Sequence, residues 1–176
     1  MTDTSWLQAP RRTDEDVAIL ARNYEAALRG DVRDDRPLQA DRSSDPRMWI
    51  FVRCDIDIPL SKLIAQGGHA ADTLVWRADK SGKGLLADEY MACGQAKLVK
   101  RAKTENDLHM VFDLCTEAGI LASIVTDAGL THFNGQKTLT VAAVGPCRRS
   151  DLPKKVDKLQ MLTDDDIVAL TRLKSD

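Results

Sequence analysis

The chain has 176 residues, of which 43% are apolar and 30% charged, and its formal net charge is −2. This length allows one domain with a sizeable core and is short for two. No apolar run approaches the ~20 residues that span a bilayer, and no apolar stretch follows the charges of the N-terminus. The composition therefore argues against membrane and secreted classes and predicts a cytoplasmic globular protein.

The cysteines are scattered and are not accompanied by clustered histidines. They are Cys54, Cys93, Cys115 and Cys147. Zinc sites require thiolates or imidazoles at short spacing, and disulfide frameworks are typical of smaller secreted chains. We therefore predict free thiols and no metal site.

Residues 1–47 are predicted to be an appendage that precedes the main domain, which is assigned to residues 48–176. A helix is predicted over Asp14–Leu28, with Thr13 as its N-cap, Asp16 three residues further on and Gly30 as its stop. The following segment is charged, poor in apolar residues and holds two prolines, so it is interpreted as a linker or extended arm. The helix is expected to dock on the core or on a protein partner.

The main domain is predicted to alternate strands with helices. Strands are indicated where β-branched and aromatic residues run together, and helices where a cap precedes an amphipathic stretch. The predicted strands are Met48–Asp55, Ala96–Lys100, Ile120–Thr126 and Thr138–Val144. The predicted helices are 59–78, 85–91, 104–117, a short one from Asp151, and Asp164–Leu173. A long loop is expected over Asp127–Lys137.

This order predicts an α/β fold of a particular architecture. Helices cross between successive strands, so part of the sheet should be parallel. We expect a mixed four-stranded sheet with helices on both faces, a three-layer α/β/α arrangement, preceded by an N-terminal helical arm.

The first helix of the main domain carries a narrow polar stripe. Its members fall within about 60° on a helical wheel and are Lys62, Gln66, His69 and Thr73. The opposite side is apolar and holds Leu60, Leu63, Ile64, Ala71, Leu74 and Val75. We expect the apolar side to pack on the sheet and the stripe to face outward. Gly67 and Gly68 cost helix propensity, which suggests close approach of another backbone or of a ligand.

Two clusters of basic residues interrupt an otherwise neutral main domain. The first holds Lys97, Lys100, Arg101 and Lys103, and the second Arg148, Arg149, Lys154, Lys155 and Lys158. Such clusters can bind phosphates, but a solvated surface is the simpler interpretation, and charge alone favours it.

Four sequence blocks together resemble the type-2 peptidyl-tRNA hydrolases. The first is WIFVRCDIDIPLSKLIAQGGHAADTLV, with a Lys-x-x-x-Gln-x-x-His-Ala-Ala helix after a hydrophobic strand. The others are CGQAKLV at Cys93–Val99, IVTDAGLTHF at Ile124–Phe133 and TLTVAAVGP at Thr138–Pro146. They occur in the order typical of the family and cover roughly residues 48–160. Each block is weak alone, but the set in register is specific.

The resemblance implies hydrolysis of the ester between a peptide and the 3′ end of its tRNA, by a homodimer without metal or organic cofactor. It assigns catalytic roles to Lys62, Asp127 and Thr140. The positions that it implies for substrate binding are Gln66, His69, Gln95, Lys97, Gly129 and Thr131. The chain departs from the family where Leu130 replaces the usual Arg and Leu60 a common Lys, and both changes remove positive charge.

Ester hydrolysis needs an activated water and a stabiliser for the oxyanion. In this hypothesis Asp127 orients or deprotonates water, and Lys62 pairs with it or stabilises the oxyanion or the leaving ribose oxygen. Thr140 holds the water, and Gly129 lets a backbone N–H point inward. The alternative is a structural Lys62–Asp127 ion pair in which Asp127 shapes an Asx-turn. His132, in the same loop, could touch phosphate or be solvated.

Two other functions remain open at this point. One is a non-catalytic binding or regulatory module on the same scaffold, which uses residues 1–47 to contact a protein. The other is a hydrolase of a different acyl or nucleic-acid ester. Binding of tRNA separates the first of these from a peptidyl-tRNA hydrolase, because multiple phosphate contacts give an affinity that falls steeply with salt.

Overall fold

The computed structural model describes residues 4–8 and 12–171. Its centre is a four-stranded sheet with the order β2-β1-β4-β3. The strands are β1 (Arg47–Arg53), β2 (Lys97–Ala102), β3 (Ala122–Asp127) and β4 (Thr138–Cys147). Strand β1 pairs in parallel with β2, while β4 is antiparallel to both β1 and β3. The predicted mixed sheet is therefore confirmed.

Helices cover both faces of the sheet. The helices are α1 (Asp14–Leu28), α2 (Leu60–Lys80), α3 (Gly84–Ala92), α4 (Glu105–Glu117), α5 (Lys154–Asp157) and α6 (Asp164–Thr171). One face packs on α2 through Val52, Leu74 and Val141, and the other packs on α4 through Phe51, Val111 and Val144. Alternate residues of the central strands point to opposite faces, which is why β1 and β4 are apolar almost throughout.

The sequence located the helices closely. Helix α1 begins after Thr13, whose hydroxyl accepts from the Asp16 N–H while the Asp16 carboxylate accepts from the Thr13 N–H. This is the predicted capping box. In α4, Asp107 accepts from the N–H groups of Lys103 and Thr104. The predicted end of the last helix, at Leu173, lies outside the described residues.

The prediction for strand β4 was too short. Gly145 and Pro146 were expected to end the strand, since proline lacks the N–H that a ladder needs. The strand instead continues to Cys147, because Trp49 pairs with Val144 and Arg47 with Cys147. Two residues of β4 therefore lie opposite one of β1, and this bulge accommodates the proline.

The segment between α1 and β1 has no regular secondary structure, yet it is held firmly. Arg36 is buried and donates to both carboxylate oxygens of Asp45 and to both of Asp34. Arg42 adds a bond to Asp34 and another to the carbonyl of Arg36. The linker predicted from its composition is thus an ordered strap, because its charges pair within the segment.

The appendage docks on the core through α3. Helix α1 and the turn at Ser5–Gln8 pack against α3, and the contact buries Trp6, Leu20, Tyr24 and Ala92. Arg12 donates to the carbonyl of Trp6 and to Glu89 of α3, at 2.7 and 2.5 Å. These contacts lie at the end of the sheet where β1 starts and β4 finishes.

Candidate active site

Asp127 is the centre of the candidate site, at the opposite end of the sheet from the appendage. It is the last residue of β3, and its carboxylate is buried. One oxygen, Oδ2, accepts from Lys62 Nζ at 2.9 Å and from Gln66 Nε2 at 2.8 Å. The other, Oδ1, accepts from the Gly129 N–H at 2.7 Å. Three donors from two elements therefore converge on one carboxylate.

These donors determine the ionisation of Asp127. Burial disfavours its charged form, but the hydrogen bond from Lys62, the Gly129 N–H and the nearby Lys62 charge outweigh burial and lower the pKa of the carboxyl. Asp127 is consequently a carboxylate throughout the neutral range. It is a weak proton acceptor there and a strong hydrogen-bond acceptor.

Lys62 lies in the first turn of α2, where the helix points its N-terminal end at the loop after β3. Its Nζ contacts Asp127 and donates to Thr131 Oγ1 at 2.6 Å. The same ammonium lies 5.8 Å from the centre of the Phe133 ring. Lys62 is thus held by a carboxylate, a hydroxyl and an aromatic face, yet 16% of its side chain remains exposed to an approaching substrate.

Gln66, one turn after Lys62, is the least expected member of the site. It is only 7% exposed. Because Asp127 requires a donor, the Gln66 amide must turn its Nε2 toward it, which leaves Oε1 buried without a partner among the described residues. A buried acceptor without a donor costs free energy. The hydrogen-bonding capacity of Gln66 Oε1 is therefore unused among the described residues.

The loop after β3 depends on Gly129. Its φ of +79° lies in the left-handed region, and a Cβ at this position would collide with the backbone of Gln136. The Gly129 carbonyl also accepts from the Gly135 N–H, which closes the loop. The N–H of Gly129 is used by Asp127 in an Asx-turn, so it points inward as expected but toward the carboxylate rather than toward an open oxyanion position.

Thr140 lies beside this centre without a hydrogen bond to Lys62 or Asp127 in the described structure. Val125 pairs with Val141 and Thr126 with Leu139, so Thr140 is the extra residue of a bulge. Its buried hydroxyl donates to the carbonyl of Val125 at 3.2 Å. This bond holds β4 against β3 two residues before Asp127.

The structure does not bring the other implied binding residues to the carboxylate. His69 is exposed on α2, one turn beyond Gln66. Gln95 and Lys97 precede and begin β2, where Lys97 pairs with Met48 at the start of β1. The site faces the other end of β1, so these two residues are separated from Asp127 by most of the length of the sheet.

The outward-facing stripe predicted on α2 requires correction. Its first half, Lys62 and Gln66, turns toward the loop after β3, whereas two residues of the apolar side, Leu60 and Ile64, are exposed. They border an apolar groove of about 500 Å³ between α2 and α6. Gly67 and Gly68 line the groove, and no backbone approaches them closely. The wheel was misleading because it treats every polar residue as outward.

All three arginines of the predicted basic clusters are already paired. Arg101 contacts Asp166, Arg148 contacts Glu89 and Arg149 contacts Asp157. Lys100 is buried, and its Nζ donates to the carbonyls of Asp157 and Leu159. The lysines of α5 remain exposed, so only part of each cluster is available to a phosphate.

Within residues 4–8 and 12–171, no group of three or more histidine, cysteine or acidic side chains is arranged to hold a metal ion. No helix in the same residues is long and apolar enough to cross a membrane. Cys93, Cys115 and Cys147 are buried free thiols, and burial raises the pKa of each to about 12.

Comparison with known proteins identifies the core that carries this site. Residues 46–162 match the family model of peptidyl-tRNA hydrolase PTH2. The chain belongs to this family. A peptidyl-tRNA hydrolase from Methanocaldococcus jannaschii is 30% identical over 116 residues, which is 66% of this chain and 99% of that relative. One from Methanopyrus kandleri is 32% identical over 113 residues, or 64% and 95%. The predicted resemblance is confirmed.

The matched region contains the whole candidate site and all four strands. Helix α1 and most of the strap lie before it, and α6 lies after it. The site thus belongs to the shared core of the family, while the helix docked on α3 is an addition outside the matched residues.

Proposed function

We propose that this protein hydrolyses the ester bond of peptidyl-tRNA and releases the peptide and free tRNA. Family membership supports the reaction. One observation assigns the reaction to particular residues: Lys62, Gln66 and the Gly129 N–H all bind Asp127. An ionised carboxylate beside an ammonium provides an acceptor for water and a positive charge for an oxyanion.

In this proposal Asp127 orients the attacking water. Its lowered pKa makes it a poor base at rest, so it accepts a hydrogen bond from the water and takes up the proton as the water adds to the ester carbonyl. Gln66 Oε1, the buried acceptor without a partner, takes the second hydrogen of that water or the neighbouring ribose hydroxyl. Thr140 acts through the strand, because its bond to Val125 sets the position of β3.

Lys62 stabilises negative charge in the transition state. Addition of water to the ester converts the carbonyl oxygen into an oxyanion, and breakdown of that intermediate moves the charge to the leaving ribose oxygen. The Lys62 side chain is 16% exposed beside Asp127, so an ester that binds there would bring either oxygen close to the ammonium. Thr131 and Phe133 keep the ammonium at this position.

The experiment is release of peptide from an N-blocked aminoacyl-tRNA by purified protein. We expect Asp127→Asn to reduce hydrolysis by at least about a hundredfold, because the amide cannot accept the proton. Asp79→Asn is the matched control, since Asp79 forms an exposed ion pair with Lys80 at the far end of α2. A wild-type rate in Asp127→Asn would show that the Lys62–Asp127 ion pair has only a structural role. A folded protein without activity would mean that the scaffold has been reused for binding.

We make three finer proposals. The protein acts on tRNA in the cytoplasm, forms a homodimer, and uses residues 1–47 to contact a protein partner. Light scattering on the purified protein tests the dimer, and a mass of one chain at micromolar concentration would contradict it. Localisation of a tagged chain tests the compartment, and loss of a co-purifying protein on deletion of residues 1–47 tests the partner.

A further inference from the structure

A second cleft lies beside the candidate active site, on the other side of the loop after β3. Its volume is about 490 Å³, within the range of small-ligand sites. Unlike the apolar groove along α2, it is lined mainly by polar side chains. Those used below are Arg53, Asp57, Glu105, His132, Asn134 and Lys137.

The cleft adjoins the reacting carboxylate. Thr138 lines it and pairs with Asp127 across the two strands, which places their Cα atoms about 5 Å apart. Phe133 also lines it, and the centre of its ring lies 5.8 Å from Lys62 Nζ. A group bound in the cleft would thus lie next to an ester bound at Lys62 and Asp127.

Charge in the cleft is balanced. Arg53 is paired with Asp55 and with Glu105, and it also donates to the carbonyl of Leu139. Asp57 contributes a further negative charge, and Lys137 is exposed at the surface. This arrangement does not favour a phosphate as the group bound inside. It suits a neutral group with several hydrogen-bond donors and acceptors.

Two aromatic rings lie in the wall of the cleft. His132 and Phe133 are in edge-to-face contact, with ring centres 4.8 Å apart and an interplanar angle of 77°. His132 Nε2 bonds to the carbonyl of Asp57 at 2.8 Å, which fixes the imidazole against the loop before α2. Nucleobases bind proteins by stacking on such rings, while amide side chains such as Asn134 reach their polar edges.

We propose that this cleft binds the adenine of the 3′-terminal nucleoside of tRNA, with His132 as the residue on which the base stacks. The inference rests on the proposed function, since that nucleoside carries the ester through its ribose. It assigns a substrate-binding role to His132, Asn134 and Phe133, and it explains how a site with little free positive charge orients the 3′ end of its substrate.

The test compares two esters of one N-acetylated amino acid, on the 3′ oxygen of adenosine and on the 3′ oxygen of methyl riboside, which lacks the base. We expect kcat/KM to be at least about tenfold higher for the adenosine ester, and His132→Ala to remove that preference. Trp76→Ala is the control, because it removes an exposed ring of α2 that does not line the cleft. Equal rates for the two esters, or a preference that survives in His132→Ala, would overturn the proposal.

Two further variants separate stacking from loop anchoring. His132→Phe retains a ring without the bond to Asp57, and His132→Gln retains an N–H without a ring. Stacking predicts that Phe restores the preference for adenosine and Gln does not. If only His132→Gln restored the preference for adenosine, His132 would merely anchor the loop, and its assignment as the stacking residue would be wrong.

Binding of free adenosine keeps this inference separate from the proposed function. We expect saturable chemical-shift changes in the amides of residues 131–137 of the wild-type protein, lost in His132→Ala. Adenosine carries no ester, so this result stands even for a protein that fails to cleave peptidyl-tRNA. If the protein cleaves peptidyl-tRNA but adenosine causes no chemical-shift changes at these residues, the cleft does not bind adenine, and the proposed function is unaffected.

Discussion

Two ionic clusters lie at opposite ends of the sheet, and they differ in how many opposite charges each charged group contacts. At the appendage end, Glu89 accepts from Arg12 and from Arg148, and Arg36 is shared between Asp34 and Asp45. At the site end, Lys62 meets a single carboxylate, and the neighbouring Gln66 keeps an acceptor without a partner.

The difference indicates what each cluster is for. Buried charges need paired hydrogen bonds to compensate for lost hydration, and Arg36 satisfies that need by forked geometry. Arg12 Nε is buried without a partner among the described residues. The pKa of Arg36 is raised well above its ordinary value, because its bonds to Asp34 and Asp45 outweigh the effect of burial. Each cluster keeps a buried polar atom without a partner among the described residues, but only the lysine cluster lies at the site proposed for the reaction. We therefore expect mutations to separate stability from activity.

Loss of the Lys62 ammonium should have a large effect on activity and a small one on stability. In Lys62→Ala we expect peptide release to fall by about 10² to 10³, the range observed when one oxyanion-stabilising donor is removed. The free energy of unfolding should change by only about 1 kcal/mol, because Gln66 and the Gly129 N–H still bind Asp127. Single-turnover hydrolysis and urea unfolding measure the two effects. Lys80→Ala, an exposed lysine on the same helix, is the control.

Loss of Glu89 should have the opposite profile. Its side chain is 2% exposed, and Glu89→Ala leaves Arg12, also buried, without its closest carboxylate. Breaking a buried pair typically costs about 3–5 kcal/mol. Glu25→Ala, which breaks an exposed pair with Arg29, should cost less than about 0.5 kcal/mol. Urea unfolding compares the variants. A large loss of hydrolysis per folded molecule in Glu89→Ala would contradict the separation of the two clusters.

Sequence reasoning anticipated the parts that depend on local signals. The cap at Thr13 and the four strands follow from short-range patterns, and the resemblance supplied the positions of Lys62 and Asp127. It missed the strap and the orientation of Gln66. The strap depends on Arg36 and Asp45, which are nine residues apart in one charged segment. Composition suggested a linker or extended arm because it does not show which charges pair. Gln66 is buried because Asp127, 61 residues away, requires a donor, which a helical wheel cannot show.

The dependence of kcat/KM on pH, on the acid side, tests the Lys62–Asp127 cluster. In the proposed mechanism, activity needs the Asp127 carboxylate. We therefore expect activity to be lost as pH falls through the lowered pKa of this group, below the ordinary ~3.9. The stability from its ionised form is likewise present above the ordinary value and lost as pH falls through the lowered one. We expect kcat/KM to show no acid limb from Asp127 between about pH 5 and 7.

The residual activity of Lys62→Ala tests the cause of that lowered pKa. Removal of the ammonium takes away both its hydrogen bond and its charge, so the pKa of Asp127 should rise and the acid limb should move to higher pH. Lys80→Ala should leave the profile unchanged. An acid limb in the same place for Lys62→Ala and wild type would show that Lys62 does not set the ionisation of Asp127.

The smallest effect is expected at the N-cap of α1, which tests whether the docked helix is independent of the site. Thr13→Ala removes the hydroxyl that accepts from the Asp16 N–H, and it should lower the free energy of unfolding by about 1 kcal/mol. Thr13→Ser keeps that acceptor and should restore stability. Because α1 packs on α3 rather than on α2, amide exchange should accelerate in α1 and stay unchanged in the first turns of α2. Equal acceleration at Lys62 and Gln66 would show that the appendage supports the catalytic end of the sheet as well as its own.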